Sequence, residues 1–152
     1  MARQKLPDDR TVHAIEAEVR YAETDQMGVV HHANYLVWLE LARTALCEVS
    51  GHRYADIEKS GLFLMVTRVN VSYREAARYG DTVRVSCWTE RVASRALDFG
   101  YLIERRQTAS EPSALLGFGT THHNWVDRET GRVCRVPVEL EAAFRGLIQP
   151  TD

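Results

Sequence analysis

The sequence has no long apolar run. The longest stretches, Leu62 to Val66 and Ala114 to Phe118, fall far short of the roughly 20 residues that span a bilayer. The opening residues Met1 to Arg10 carry no apolar signal-peptide core, which predicts a cytoplasmic protein without membrane insertion. Cysteine is scarce: Cys47, Cys87 and Cys134 are odd in number, far apart and without CxxC or CxxH spacing, so neither a disulfide framework nor a structural zinc site is expected. They read as small buried hydrophobes. Neither sign of charge is in excess, 19 Lys and Arg standing against 21 Asp and Glu for a net charge of -2. That balance disfavours a nucleic-acid module and a disordered acidic tail. There is also no repeat, no low-complexity run and no linker rich in Pro, Gly or Ser. What remains is a chain of 152 residues, 45% hydrophobic, able to bury roughly 70% of its unfolded surface in one core. One domain with a core from about 12 to 147 follows, with polar ends, up to Arg10 and from Gln149, that look frayed.

Period-2 alternation from Val12 to Tyr21 predicts a first strand with one wet face. A long helix is expected from about Ala33 to Ser50, closed by Gly51. Its polar residues Glu40, Arg43, Thr44 and Glu48 form a narrow stripe, so this helix should be buried on most sides. A short helix over Tyr54 to Lys59 ends near Gly61. Strands follow over Leu62 to Arg74, Thr82 to Val92, Arg95 to Arg106 and Ser113 to Val126, with turn residues between them as hairpin connections. Pro137 opens a last helix to about Leu147. The class is α+β, an antiparallel sheet wrapped around a long central helix. Its open edges and bare face predict at least a homodimer with a continuous sheet.

Reactive groups concentrate between Tyr21 and Tyr35, which joins the first strand to the helix. Asp25 and Glu23 sit in the connection, Gly28 permits a left-handed or closely approached backbone, and His32 and Ala33 bring backbone N–H groups to the helix start. A carboxylate beside such a terminus suits hydrolysis of an activated acyl group, Asp25 attacking directly or activating water while an N–H stabilises the developing charge. An acidic residue before a helix is more often a cap or turn former, so the local pattern alone is suggestive only.

Tyr21 through Tyr35 resembles the signature aromatic-x-[DE]-[TC]-D-x-x-G-[IV]-V-[YH]-[HYF]-x-x-Y of the hotdog-fold acyl-CoA thioesterases, in the 4-hydroxybenzoyl-CoA thioesterase and YbgC-like group. Val69 to Asp81 is similar to the family's "Y-x-x-P-A-R-x-G-D" connection, and Thr121 to Pro137 to its closing "VD-x-x-T-G-[RK]-x-x-x-[IV]-P". The three blocks stand in family order over about Ile15 to Leu140. Two positions depart: Glu23 stands where Asp is frequent, and Ala76 replaces the common proline. The resemblance implies an acyl-CoA substrate, no cofactor, Asp25 as the catalytic carboxylate, and the His32 backbone N–H as the group that polarises the thioester carbonyl. It further implies that Gly28 and Tyr35 shape the substrate site, with Asn34 in support, and that the chain forms a homodimer assembling to a homotetramer. Arginines make up 17 of the 19 basic residues, and their planar forks suit the phosphates of coenzyme A. Alignment to the family selects Arg95 and Arg132 for that contact, each of which reads equally as a solvated strand-end charge.

Competing readings are weaker. His31, His32, His122 and His123 have no acidic or cysteine partner at ligand spacing, and adjacent strand histidines face opposite ways, so no metal site is expected. A serine hydrolase would need a G-x-S-x-G elbow, absent here, and Cys47 and Cys87 lie at packing positions. A non-catalytic acyl-CoA or acyl-carrier-protein binding module is the alternative, disfavoured by Asp25, which such a module would not use. An enoyl-CoA hydratase ranks below it, because Asp25 with His31 and His32 imitates the hydratase spacing only loosely.

Overall fold

In the computed structural model, which describes residues 4–148, the alternating segments become five strands. They are β1 (Val12–Glu18), β2 (Leu62–Tyr73), β3 (Thr82–Val92), β4 (Ala96–Arg105) and β5 (Ala114–Asp127), in one antiparallel sheet of order β1-β3-β4-β5-β2. Helix α1 (Asn34–Val49) lies on one face, mainly over β1 and β3, with α2 (Tyr54–Lys59) and α3 (Val138–Arg145) at its flanks. The alternating residues of β3 and β4 bear the core: Val83, Val85, Cys87, Phe99, Tyr101 and Ile103 are buried in one cluster with Trp38, Leu39, Ala42 and Leu46 of α1. The α+β expectation therefore holds, with helix ends within a residue of Ala33 and Ser50 for α1.

Four local expectations differ. β1 stops at Glu18, because Tyr21–Glu23 winds into a 3-10 turn whose Glu23 carboxylate accepts the Arg20 N–H at 2.8 Å. α1 is covered on one side only in the single chain: Leu36, Val37, Leu41 and Val49 stay exposed, since the helix sits over β1 and β3 and leaves β2 uncovered. β2 is not a hairpin partner of β3. It pairs with β5 from Leu62↔Asp127 to Tyr73↔Gly117, so the Arg74–Asp81 connection must cross to the other half of the sheet. Finally, the stretch up to Arg10 is not all frayed: the Arg10 guanidinium donates to the carbonyls of Thr89 and Glu90 at 3.1 and 3.2 Å. Gln149 onward lies outside the described residues.

The β2–β5 pairing depends on a missing side chain. A Cβ on Gly119 would sit 2.2 Å from the Asn70 carbonyl oxygen, a backbone atom held in the ladder. Gly119→Ala is expected to lower the unfolding free energy by about 1–3 kcal/mol or more, read from the urea midpoint.

One polar chain runs through the core. His123, 1% exposed, has its Nε2 at 2.8 Å from Thr121 Oγ1, which lies 2.7 Å from the Tyr101 hydroxyl, while His123 Nδ1 has no partner among the described residues. Burial first, and the Arg43 charge second, push the His123 pKa down from 6.5 to about 3. The unfolded chain then takes up the proton before the folded one. Stability tied to the neutral ring is present above pH 6.5 and is lost as pH falls toward 3. Denaturant melts across that window should show a slope from this group approaching about 1.4 kcal/mol per pH unit, flattened in His123→Gln.

Candidate active site

The segment after the 3-10 turn is a tight hairpin. Thr24 and Val30 bridge, the Asp25 N–H donates to the Val29 carbonyl at 2.9 Å, and the Gly28 N–H returns to the Asp25 carbonyl at 3.0 Å. Gly28 closes this turn at φ 76, a left-handed conformation that L side chains rarely adopt. Asp25 Oδ1 accepts the Met27 N–H at 2.8 Å, which fixes the carboxylate on the rim of the turn. Among the described residues nothing bonds its second oxygen. Asp25 is half-buried, while Gln26, Met27 and Gly28 are exposed.

From the hairpin the chain turns directly into α1. The Glu23 carbonyl accepts both the His31 N–H and the Asn34 side-chain amide, each at 2.8 Å. The His31 carbonyl in turn accepts the Asn34 N–H at 2.9 Å. That carbonyl and the His32 N–H belong to one peptide group, so the bond at the oxygen orients and polarises the N–H. Among the described residues no acceptor takes the His32 N–H. The His32 carbonyl accepts the Tyr73 hydroxyl at 3.0 Å, and the rings of His31 and His32 stack at 4.2 Å between centroids.

The floor is the β2-to-β3 crossing. Val30 donates its N–H to the Ala77 carbonyl at 2.8 Å, and the Ala77 N–H donates to the Tyr35 hydroxyl at 3.3 Å. Tyr35 is buried, 5.0 Å from both the Trp38 and Tyr73 rings. Burial raises its phenol pKa, so it stays a neutral prop.

Asp25, Gly28, His32 and Tyr35 therefore come together at one end of the sheet, where β2 finishes. Arg95 and Arg132 do not. The Arg95 carbonyl accepts the Trp125 N–H and the Arg132 carbonyl the Asp127 N–H, next to the start of β2, so both exposed arginines occupy the opposite end. Two residues beyond the predicted site shape it: Tyr73, which holds His32, and Ala77, which holds Val30. Both stand in the second motif block, whose alternation placed Tyr73 on a strand without showing what its hydroxyl meets. The thiols are remote and inert, with burial pushing Cys47 up to about 12. Among the described residues no group of three or more His, Cys, Asp or Glu could hold a metal ion.

The family model described as "Thioesterase-like superfamily" matches residues 19–144, which contain every residue of this site. The chain belongs to that superfamily. It is 42% identical over 130 residues to YneP of Bacillus subtilis (strain 168), named as a candidate acyl-CoA thioesterase, covering 85% of this chain and 87% of that protein. Among solved structures, the hypothetical protein TT1821 of Thermus thermophilus superposes with a TM-score of 0.80 at 39% identity, over 88% of this chain and 98% of that one. The DHNA-CoA thioesterase of Staphylococcus aureus gives a TM-score of 0.76 at 34% identity, over 82% and 80%. The fold is the hotdog arrangement that the motifs implied.

Tyr35→Phe would leave the buried Ala77 N–H without an acceptor. The expected loss is about 1–3 kcal/mol of stability, measured as a shift of the denaturation midpoint at unchanged slope.

Proposed function

We propose that this protein hydrolyses acyl-CoA thioesters, with Asp25 as the reacting carboxylate and the His32 N–H as the donor to the carbonyl oxygen. The observation that carries this reading is the pairing of a half-engaged carboxylate with an open N–H, both fixed by one backbone scaffold. When the thioester carbonyl sits on the His32 N–H, charge developing on its oxygen is met by a donor that needs no reorganisation. Asp25 then acts in one of two ways. As general base it takes a proton from water, whose oxygen attacks the carbonyl carbon; as nucleophile it forms a mixed anhydride that water hydrolyses. In both, the C–S bond breaks, coenzyme A leaves as thiolate and is protonated, and the free acid remains.

The proposed assembly is built along β2. Its 12 residues form a sheet edge, and Met65, Val66 and Val69 are exposed along it. A second copy pairing antiparallel along β2 continues the sheet and covers that apolar surface. This two-fold places the Arg95 and Arg132 end of one copy beside the Asp25 end of the other, so arginines remote within one chain reach the phosphates of coenzyme A across the dimer. Two such dimers make the homotetramer, and sedimentation velocity counts the chains. The three cysteines are free thiols, in keeping with a reducing, cytoplasmic setting.

Thiol release from aliphatic, benzoyl and 4-hydroxybenzoyl-CoA tests the chemistry. Wild type should cleave a subset, and Asp25→Asn, folded and with the same oligomeric state, should lose at least about a hundredfold in kcat. Acyl-CoA that binds but is never cut by wild type would overturn the reading in favour of a binding module.

A further inference from the structure

The interior holds a cation that the scaffold described above does not use. Arg43 lies on α1 between buried Ala42 and Leu46 and is itself half-buried. It lines a cavity of about 40 Å³ with Glu40, Thr44, Cys47, Tyr54 and Leu64, between α1, α2 and the start of β2. Among the described residues no carboxylate forms an ion pair with Arg43. The interior groups that feel its charge are the Tyr101 hydroxyl, the thiols of Cys47 and Cys87, the Tyr54 phenol and the His123 ring. All are neutral, because burial raises the acids and lowers the base. Glu40 stands three residues away at the mouth, exposed and unpaired with it.

A half-buried guanidinium without an anion is a standing cost to the fold, and an apolar residue of similar volume would serve packing better. The lining is polar as well, with the Thr44 hydroxyl and the Tyr54 phenol beside the guanidinium. The cavity exceeds the 10–15 Å³ or so that one water needs and suits a small head group, not an acyl chain. Leu36, Glu40, Arg43 and Cys47 follow one another along one face of α1, which starts at the candidate active site, and Arg43 is roughly 14 Å along the helix from that start.

We infer that Arg43 is a carboxylate-binding residue, whose cavity receives the carboxylate of an acid related to the substrate. This deepens the thioesterase reading and rests on it for the identity of the ligand. The carboxylate comes from one of two sources: the distal end of a dicarboxylic acyl group, or the free acid that hydrolysis releases. Arg43 donates to it through its planar fork, and the Thr44 hydroxyl lies on the same wall.

Two arms of one experiment separate the sources. The first compares kcat/KM for thioesters of equal length with and without a terminal carboxylate, succinyl against butyryl, adipoyl against hexanoyl and dodecanedioyl against dodecanoyl, in wild type, Arg43→Met and Arg43→Lys. The second titrates the protein with free hexanoate and dodecanoate and follows the arginine side-chain NMR signals. If the acyl group is the source, wild type prefers a carboxylated member by roughly ten- to a hundredfold, Arg43→Met abolishes the preference and Arg43→Lys keeps part of it. If the free acid is the source, there is no such preference, but the acid shifts one arginine signal that is missing in Arg43→Met, and Glu40→Gln tightens the binding. Equal rates for every pair, with no acid-induced shift that depends on Arg43, would overturn the inference while leaving Asp25-dependent hydrolysis intact. Absence of any hydrolysis would count against the thioesterase reading, and the acid titration would still decide for or against the site.

Discussion

The carbonyl oxygen of Glu23 takes two hydrogen bonds, from the His31 N–H and from the Asn34 side chain, and the candidate active site hangs from that double acceptance. It ties the entry of the hairpin to its exit and to the first residue of α1, so the carboxylate of Asp25 and the N–H of His32 are parts of one closed loop. The buried Glu23 side chain secures the same residue from the other direction by holding the Arg20 N–H. A residue that looked like a departure from a motif is thus the fixed point of the loop. Its acidity matters for capping a turn, which Glu does with one methylene more of reach than Asp.

Much of this was legible in the sequence because it is local. Gly28 in a turn, a helix beginning at the end of the His31–Ala33 stretch, and strands with one apolar face all follow from residue types within a few positions of one another. The pairing of β2 with β5 was not, since alternation assigns a face to each side chain and is silent about the neighbouring strand. The consequence reached the site itself: Ala77 and Tyr73 support the loop only because the chain crosses the sheet after β2. Family alignment points to Arg95 and Arg132 but carries no information about which end of the sheet a strand terminus occupies. The anchoring of Arg10 on two backbone carbonyls of β3 likewise depends on a contact some eighty residues away in sequence.

Electrostatics divides the molecule in two. Around Asp25 the charges are few, Glu23 is buried against the Arg20 N–H, and the loop is held by backbone hydrogen bonds. Beneath α1 the situation reverses, with neutral phenol, thiol and imidazole groups gathered around Arg43 and held neutral by burial. A helix that stands with one end at the Asp25 loop and carries on its flank a cation with no carboxylate partner among the described residues can read two features of one elongated ligand. Leu36, exposed and on the same face as Arg43, is the apolar residue that lies between them.

The separation of β2 from its partner bears on how the chain acquires its shape during synthesis. β2 ends at Tyr73, while the strand that completes its ladder begins at Ala114. As the polypeptide emerges from the ribosome, the Asp25 hairpin and α1 come out before β2, and the crossing that supports them then has no sheet to cross. β2 is then a long extended segment with both edges open, the situation in which chains find each other. Pairing across so long a loop is intrinsically slow. The loop bearing Asp25 is therefore made before β2 and β5 and set in place only after they have paired.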